Sequence, residues 1–396
     1  MPAPAALSSF PDLPTLAKHL RDELQSKRFI LLYAYNSTGK TRLSTAFKDL
    51  GKQVNANGEV TARDTLYFNA FTEDLFTWDN DLVGDAQRVL DLNPKSTFFR
   101  GLEEFEIENR VRTLLDRYAD FGFRIDLTYD EDEMLTEGWV SFNREVLVVK
   151  DGEPRSETLE DIKISRGEQN IFIWCFFLAI IEIRLDPRTT AYDWAKYIYI
   201  DDPISSLDEQ NTVMVATHLA KMLKDADDPP GVVISTHHPL FHNVLWNELK
   251  GNSRRYFLGR DRASGGYAVR NTEATPFFHH IAALITLYDT DLRGTLDTYH
   301  FNTLRAIAEK TASFLGYGNF ADCIKREADD LEGRLHTRLL NLLSHGGYSV
   351  YEPREMLDDN KREFRRMLRR FVQHHAFNAE HFPGLQSGAT EDAETS

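Results

Sequence analysis

"YAYNSTGKTRLS", Tyr33 to Ser44, ends in Gly39, Lys40 and Thr41, the last three places of the pattern G-x-x-x-x-G-K-[ST]. Ala34 stands in the first place, where the pattern has glycine. The flanks suit the pattern. Phe29 to Tyr33 is an apolar, strand-like run, and from Arg42 onward the apolar residues fall at helical spacing. A strand, a turn and a helix form the context in which loop amides at a helix N-terminus cradle phosphates. Asn36, Ser37, Thr38 and Gly39 would supply those amides, Lys40 would meet the β- and γ-phosphates, and the Thr41 hydroxyl would bind Mg²⁺. A small residue such as Ala34 suffices at the first place if its backbone keeps a negative φ.

Three later stretches fall in an order that fits this loop. "KISRGEQNIFIWCFFLAIIEI", from Lys163, is a polar, glycine-containing turn running straight into a buried helix. "AKYIYIDDPISSLDEQN" follows, with Tyr197 to Asp201 reading as a buried strand that ends in acid. "GVVISTHHP" is a further apolar strand that delivers His237. Together they resemble the ABC ATPase superfamily: Ser165 and Gly167 stand in its signature motif, Asp201 at the end of the Walker B strand, Asp208 in its D-loop and His237 at its switch-histidine position. The resemblance implies that Asp201 holds Mg²⁺ and that Asp202, where the family usually has glutamate, orients the attacking water, with His237 at the γ-phosphate. The shorter side chain of Asp202 bears on the rate of hydrolysis and not on nucleotide binding. It further implies a head-to-tail homodimer or higher oligomer, because the signature of one protomer completes the site of another.

The stretch between loop and signature carries alternating strand patterns in "FRIDLTYDEDE" and "WVSFNREVLVVKDG", as an antiparallel arm would. Too few residues separate the signature from the Walker B strand to hold a long coiled coil, which argues against a chromosome-maintenance architecture.

Composition sets the remaining bounds. With 396 residues, 42% of them hydrophobic and 27% charged, the chain is long enough for two domains with substantial cores. The longest apolar run, Ile171 to Ile183, is too short to span a bilayer and contains Glu182, so no membrane role is expected. Two cysteines, Cys175 and Cys323, offer no metal or disulfide framework, and with no signal peptide in view a cytoplasmic protein is expected. The net charge of -16 argues against a surface that coats DNA non-specifically. The densest basic run, Lys361 to Arg370, would still put Phe364, Met367, Leu368 and Phe371 on one helical face and its arginines on the other.

Past about Thr275 the pattern becomes almost purely helical, with Gly316, Gly318, Gly346, Gly347 and Pro353 as punctuation. Two features there could carry chemistry. Arg305 and Glu309 lie four apart on one helical face, and His345 precedes a double glycine at the end of an apolar helix. The plain alternatives are an i,i+4 ion pair worth a few tenths, about 0.3–0.5 kcal/mol, and a histidine that caps a helix C-terminus.

An ABC head without coiled coil, with "YFNAFTEDLFTWDND" after the loop, "DDPISSLD" at the Walker B strand and a C-terminal "RAIAEKTASF" followed by "LSHG", resembles the PrrC-type anticodon nucleases over nearly the whole chain. That resemblance implies that Arg305, Glu309 and His345 cut tRNA in the anticodon loop, typically tRNA-Lys 5′ of the wobble base and without metal. Cleavage through the RNA's own 2′-hydroxyl needs a base, an acid and a cation, and leaves a 2′,3′-cyclic phosphate and a 5′-hydroxyl. Which of Glu309 and His345 is acid and which base stays open. Unpaired bases would stack on aromatics, for which Tyr299, His300 and Tyr317 are candidates beside plain core packing, and Arg362, Arg365 and Arg369 would meet phosphates.

The resemblance also implies ATP or GTP with Mg²⁺ as cofactor and dTTP as a regulatory nucleotide. A type I DNA restriction-modification complex would be the silencing partner of an anti-phage toxin. A non-nuclease ABC-type sensor ATPase of a defence or repair complex is the alternative. A metal-dependent DNA nuclease related to the overcoming-lysogenization-defect proteins lacks the acidic cluster it would need after the head. The expected fold is α/β: an ABC-type P-loop head over 1–264, with 1–12 outside the fold, a mostly α-helical nuclease domain over 265–383, and a disordered acidic tail over 384–396.

Overall fold

The computed structural model describes residues 7–58, 60–69, 76–79, 89–94, 106–131, 135–150, 153–204, 209–261, 265–273, 279–297, 299–317, 319–323, 356–375, 377 and 382. The chain divides into two compact units, Met1–Phe277 and Phe278–Ser396. In order, the first unit contains β1 (Leu7–Phe10), α1 (Leu13–Glu23), β2 (Phe29–Tyr33), α2 (Lys40–Asp49), β3 (Gln53–Val54), β4 (Val60–Ala62), β5 (Thr65–Asn69), β6 (Phe76–Asp79) and β7 (Val89–Leu92). It continues with α3 (Ile107–Leu115), β8 (Gly122–Tyr129), β9 (Leu135–Lys150), β10 (Glu153–Leu159), α4 (Arg166–Leu185), β11 (Tyr197–Asp201), α5 (Glu209–Asp225), β12 (Gly231–Thr236), α6 (Pro239–Leu249), β13 (Ser253–Asp261) and β14 (Gly266–Asn271).

A seven-stranded sheet in the order β1-β14-β13-β2-β12-β11-β5 carries the head. Its β13, β2, β12, β11 and β5 run parallel, and β14 and β1 close one edge antiparallel. β2 is buried on both faces, as its unbroken apolar run requires. Phe29 and Leu31 face a core built around α4, while Ile30 and Leu32 face α1 and α2. α4 is apolar nearly all round and is accordingly enclosed. Its Phe172 touches Phe76, Phe123 and Phe142, so it ties the helix to a second, five-stranded sheet made of β6 to β10. β8 and β9 lie where the alternating patterns place strands.

Two boundaries differ from the sequence expectation. Leu7–Phe10 pairs with Arg270–Tyr267 of β14, and Asp12 caps α1 through Thr15 N at 2.8 Å, so the fold begins inside the stretch expected to lie outside it. The partner strand lies far along the chain, and a low-complexity N-terminus gives no local sign of it. Because β14 completes the head's sheet, the division falls at Phe277/Phe278 and not at 264/265.

The described residues of the second unit form α7 (His279–Leu292), α8 (Tyr299–Leu315), a 3₁₀ turn (Phe320–Cys323) and α9 (Asp358–His374). α9 buries Phe364, Met367, Leu368 and Phe371, the face that its spacing predicts. Phe364 meets Phe301 of α8 edge to face at 5.1 Å. The acidic tail over 384–396 lies outside the described residues. Among the described residues, no helix is long and apolar enough to cross a membrane.

Candidate functional site

The loop between β2 and α2 emerges at the carboxyl edge of the parallel strands, the edge where open α/β sheets take ligands. Among the described residues other than glycine, positive φ occurs at Ser37, Glu106, Asp161 and Asp202. Ala34 therefore keeps an ordinary backbone, is fully buried, and donates its N–H to the Thr236 carbonyl at 3.0 Å. This is the physical reason that alanine serves where the pattern has glycine. Gly39, at φ 111°, does need to be glycine, and it caps the start of α2.

Lys40 is buried. Its ammonium donates to the Ala34 and Tyr35 carbonyls at 3.2 and 3.3 Å and to Asn36 Oδ1 at 3.3 Å, and it lies 3.4 Å from Asp202 Oδ2. The ammonium is thus folded back into its own loop, at the place where phosphates would draw it outward. Thr41 Oγ1 donates to Asp201 Oδ2 at 2.8 Å, and Ser235 Oγ donates to Asp201 Oδ1 at 2.6 Å. Burial pushes the Asp201 carboxyl above its usual value against the two hydroxyl bonds. A hydroxyl beside a carboxylate is the hard-oxygen donor set that Mg²⁺ prefers, so these residues fit a nucleotide-borne magnesium ion.

Asp202, at φ 52°, is turned away from the path of β11 and is held from several sides. It accepts from Thr236 Oγ1 at 3.2 Å, from His237 N at 3.1 Å and from His237 Nδ1 at 2.6 Å. Burial alone would raise its carboxyl. The His237 bond and the charges of Lys40 and His237 outweigh that and hold it below the usual range. Asp201, Asp202, Lys40, Thr41 and His237 are thus brought to one place.

Ser165 is the N-cap of α4. It accepts from Glu168 N at 3.3 Å while its own N–H donates to Glu168 Oε2 at 2.7 Å, a reciprocal box that leaves the serine exposed. Gly167 lies in the first turn of that helix, and Arg144 pairs with Glu168 below it. Asp208 lies outside the described residues. Three neighbours escaped the sequence reading: Ser235 on Asp201, Tyr267 beside Gly39, and Arg260 on Tyr267. Ser235 had a local sign in its place at the end of an apolar strand. The other two had none.

In the second unit Arg305 Nε donates to Glu309 Oε1 at 2.7 Å, and the guanidinium carbon lies 5.4 Å from the Phe320 ring centre. His345 lies outside the described residues. His300 is buried and its Nδ1 accepts from Asp297 N at 2.9 Å, so it closes the turn that leads into α8 and is not open to a stacking base. Tyr317 is exposed. On α9, Arg362, Arg365 and Arg369 are all exposed, with Arg362 paired to Asp359 and Arg365 to Asp291.

Residues 146–366 match the AAA domain family. The chain is 33% identical over 367 residues to an anticodon nuclease of Escherichia coli, a match that covers 85% of this chain and 88% of that protein. Among solved structures, it is similar to the Smc head domain with a coiled coil and joint from Pyrococcus yayanosii, at 15% identity and a TM-score of 0.27, over 41% of this chain and 26% of that one. It is also similar to a Pyrococcus furiosus Smc head with an extended coiled coil, bound to the C-terminal domain of ScpA, at 15% identity and a TM-score of 0.29, over 43% and 35% of the two chains. Likenesses this slight carry no argument about the fold.

Proposed function

The chain belongs to the anticodon nuclease family, and from that premise we propose that it is a nucleotide-regulated endoribonuclease whose helical unit cuts a tRNA in its anticodon loop. The observation that carries the reading is the identity itself, which runs through both the P-loop head and the helical unit.

In the helical unit, Arg305, Glu309 and His345 are the proposed catalytic residues. Arg305 spends its Nε–H on Glu309, and its terminal N–H groups form the planar fork that matches phosphate oxygens. Glu309 stays about half exposed and within one bond of that cation, placed to exchange a proton beside a phosphate. Attack by the 2′-hydroxyl would leave a 2′,3′-cyclic phosphate and a 5′-hydroxyl without a metal. The preferred substrate in this reading is tRNA-Lys, cut 5′ of the wobble base. The exposed arginines of α9 supply the phosphate contacts.

In the head, Lys40, Thr41 and the loop amides would hold ATP or GTP, with Mg²⁺ at Thr41 and Asp201. Bound magnesium would neutralise charge on the β- and γ-phosphates. Asp202 accepts the backbone N–H of His237 and holds the ring's Nδ1, which sets the ring's orientation. In this reading Asp202 acts through His237. Ser165 and Asp208 meet nucleotide across a head-to-tail homodimer. A type I DNA restriction-modification complex silences the enzyme, dTTP tunes it, and phage infection releases it in the cytoplasm.

The test is to induce wild type, Arg305→Ala and His345→Ala in cells and sequence the ends of all tRNA fragments. Breaks clustered in one anticodon loop, with cyclic phosphate ends and lost in both variants, are expected. Intact tRNA from wild type, with nucleotide supplied and any partner removed, would leave a sensor ATPase as the better reading.

A further inference from the structure

The antiparallel hairpin of β13 and β14 belongs to the sheet, yet its far end has no partner in β2. Pairing between β2 and β13 stops at Tyr33 and Phe257, whereas β13 runs on to Asp261 and stays paired with β14 as far as Gly266. The hairpin therefore projects past the carboxyl edge and forms a wall beside the phosphate loop, on the side of β2 away from β12 and β11. Tyr267, on that wall, packs against the loop. Its hydroxyl and ring edge lie 3.5 Å from where a Cβ on Gly39 would stand. Directly opposite it in the ladder is Arg260, whose Nη2 is 3.5 Å from the Tyr267 hydroxyl and whose guanidinium carbon is 5.6 Å from that ring's centre.

Arg260 is exposed and has no carboxylate partner among the described residues. A cation is thus held on an aromatic platform that itself touches the phosphate loop. We propose that Arg260, carried on Tyr267, is a second nucleotide-binding cation that contacts the α-phosphate of a bound nucleoside di- or triphosphate. The inference rests on reading the loop as a nucleotide site. The end of the phosphate chain that it would grip follows from the layout. Thr41, Asp201, Lys40 and Asp202 gather on the β11 and β12 side, which assigns that side to the β- and γ-phosphates and their magnesium. The nucleoside end then leaves over β13, where Arg260 stands. A guanidinium offers a planar two-donor fork to phosphate oxygens, and Tyr267 limits the orientations it must give up on binding.

The experiment uses the full chain and fluorescently labelled nucleoside mono-, di- and triphosphates with Mg²⁺. Arg260→Ala is expected to weaken di- and triphosphate about tenfold or more and alike, as the loss of one charge-assisted contact would. Arg260→Lys should recover part of the loss. Lys40→Ala serves as the control for the site. A loss confined to the triphosphate would place the cation at the γ end and overturn the assignment, and so would unchanged binding of both nucleotides. If Lys40→Ala also binds normally, the reading of the loop itself fails, a result distinct from failure at Arg260 alone. Because Arg260 is exposed, its variants should melt with wild type, and a variant that melts early is replaced by Arg260→Gln.

Discussion

At the scale of single residues, Asp202 is set by its backbone and its neighbours. One carbon shorter than the glutamate usual at its place, it folds back at positive φ onto Thr236 and His237. Asp202→Asn replaces an acceptor-only group with an amide, so His237 loses the carboxylate that orients its ring. NTP turnover should fall by about a hundredfold, the order of one acid–base contribution, while nucleotide affinity changes little. Equal losses in turnover and affinity would instead show that Asp202 builds the binding site. His218 gives a second test. Its Nε2 meets Arg117 at 3.1 Å and its Nδ1 meets the Tyr118 hydroxyl at 2.8 Å. Burial, helped by the charges of Arg117 and Lys221, pushes its pKa down to about 4. The folded head thus keeps His218 neutral where the unfolded chain would protonate it. Its contribution is complete above the ordinary histidine pKa, about 6.5, and fades as pH falls toward 4. Melting at pH 7 and pH 5 should show a smaller acid-induced drop for His218→Gln than for wild type, and equal drops would refute the assignment.

At the scale of elements, α4 was legible as a buried helix because apolar residues cover nearly all of it. Its aromatic partners were not legible, because Phe76, Phe123 and Phe142 sit on strands whose pairing no local pattern fixes. Phe172→Ala should cost about 3–5 kcal/mol in urea unfolding, as large-to-small changes in closed cores do, and a cost under about 1 kcal/mol would show that the core can collapse around the gap. On α9 the amphipathic face was written in the spacing of Phe364, Met367, Leu368 and Phe371. Whether its outer arginines touch RNA is a separate question. If they do, Arg369→Ala should weaken single-stranded RNA binding evenly across sequences and flatten the salt slope by about 0.7. A sequence-dependent loss would point to base reading instead.

At the scale of the whole molecule, the proposed nucleotide site and the proposed RNA-cutting residues Arg305 and Glu309 lie in different units. Single changes should therefore separate the two activities. Arg305→Ala should abolish tRNA breaks while NTP turnover stays within about twofold, since Arg305 belongs to the second unit and the phosphate loop to the first. Lys40→Ala should end NTP turnover first. A shared collapse of both activities in Arg305→Ala, with folding intact, would argue against that independence. The sequence by itself determined the phosphate loop, the buried acidic strand, the polar turn that runs into α4 and the helices of the second unit's described residues. Each depends on hydrogen bonds and apolar spacing within one short stretch, so neighbouring letters suffice to specify it. The tertiary structure alone decided that Leu7–Phe10 pairs with β14, that Ser235 holds Asp201, and that Tyr267 bears on Gly39 with Arg260 above it. Those contacts join segments far apart in the chain, and strand order and register emerge only when the whole core is packed.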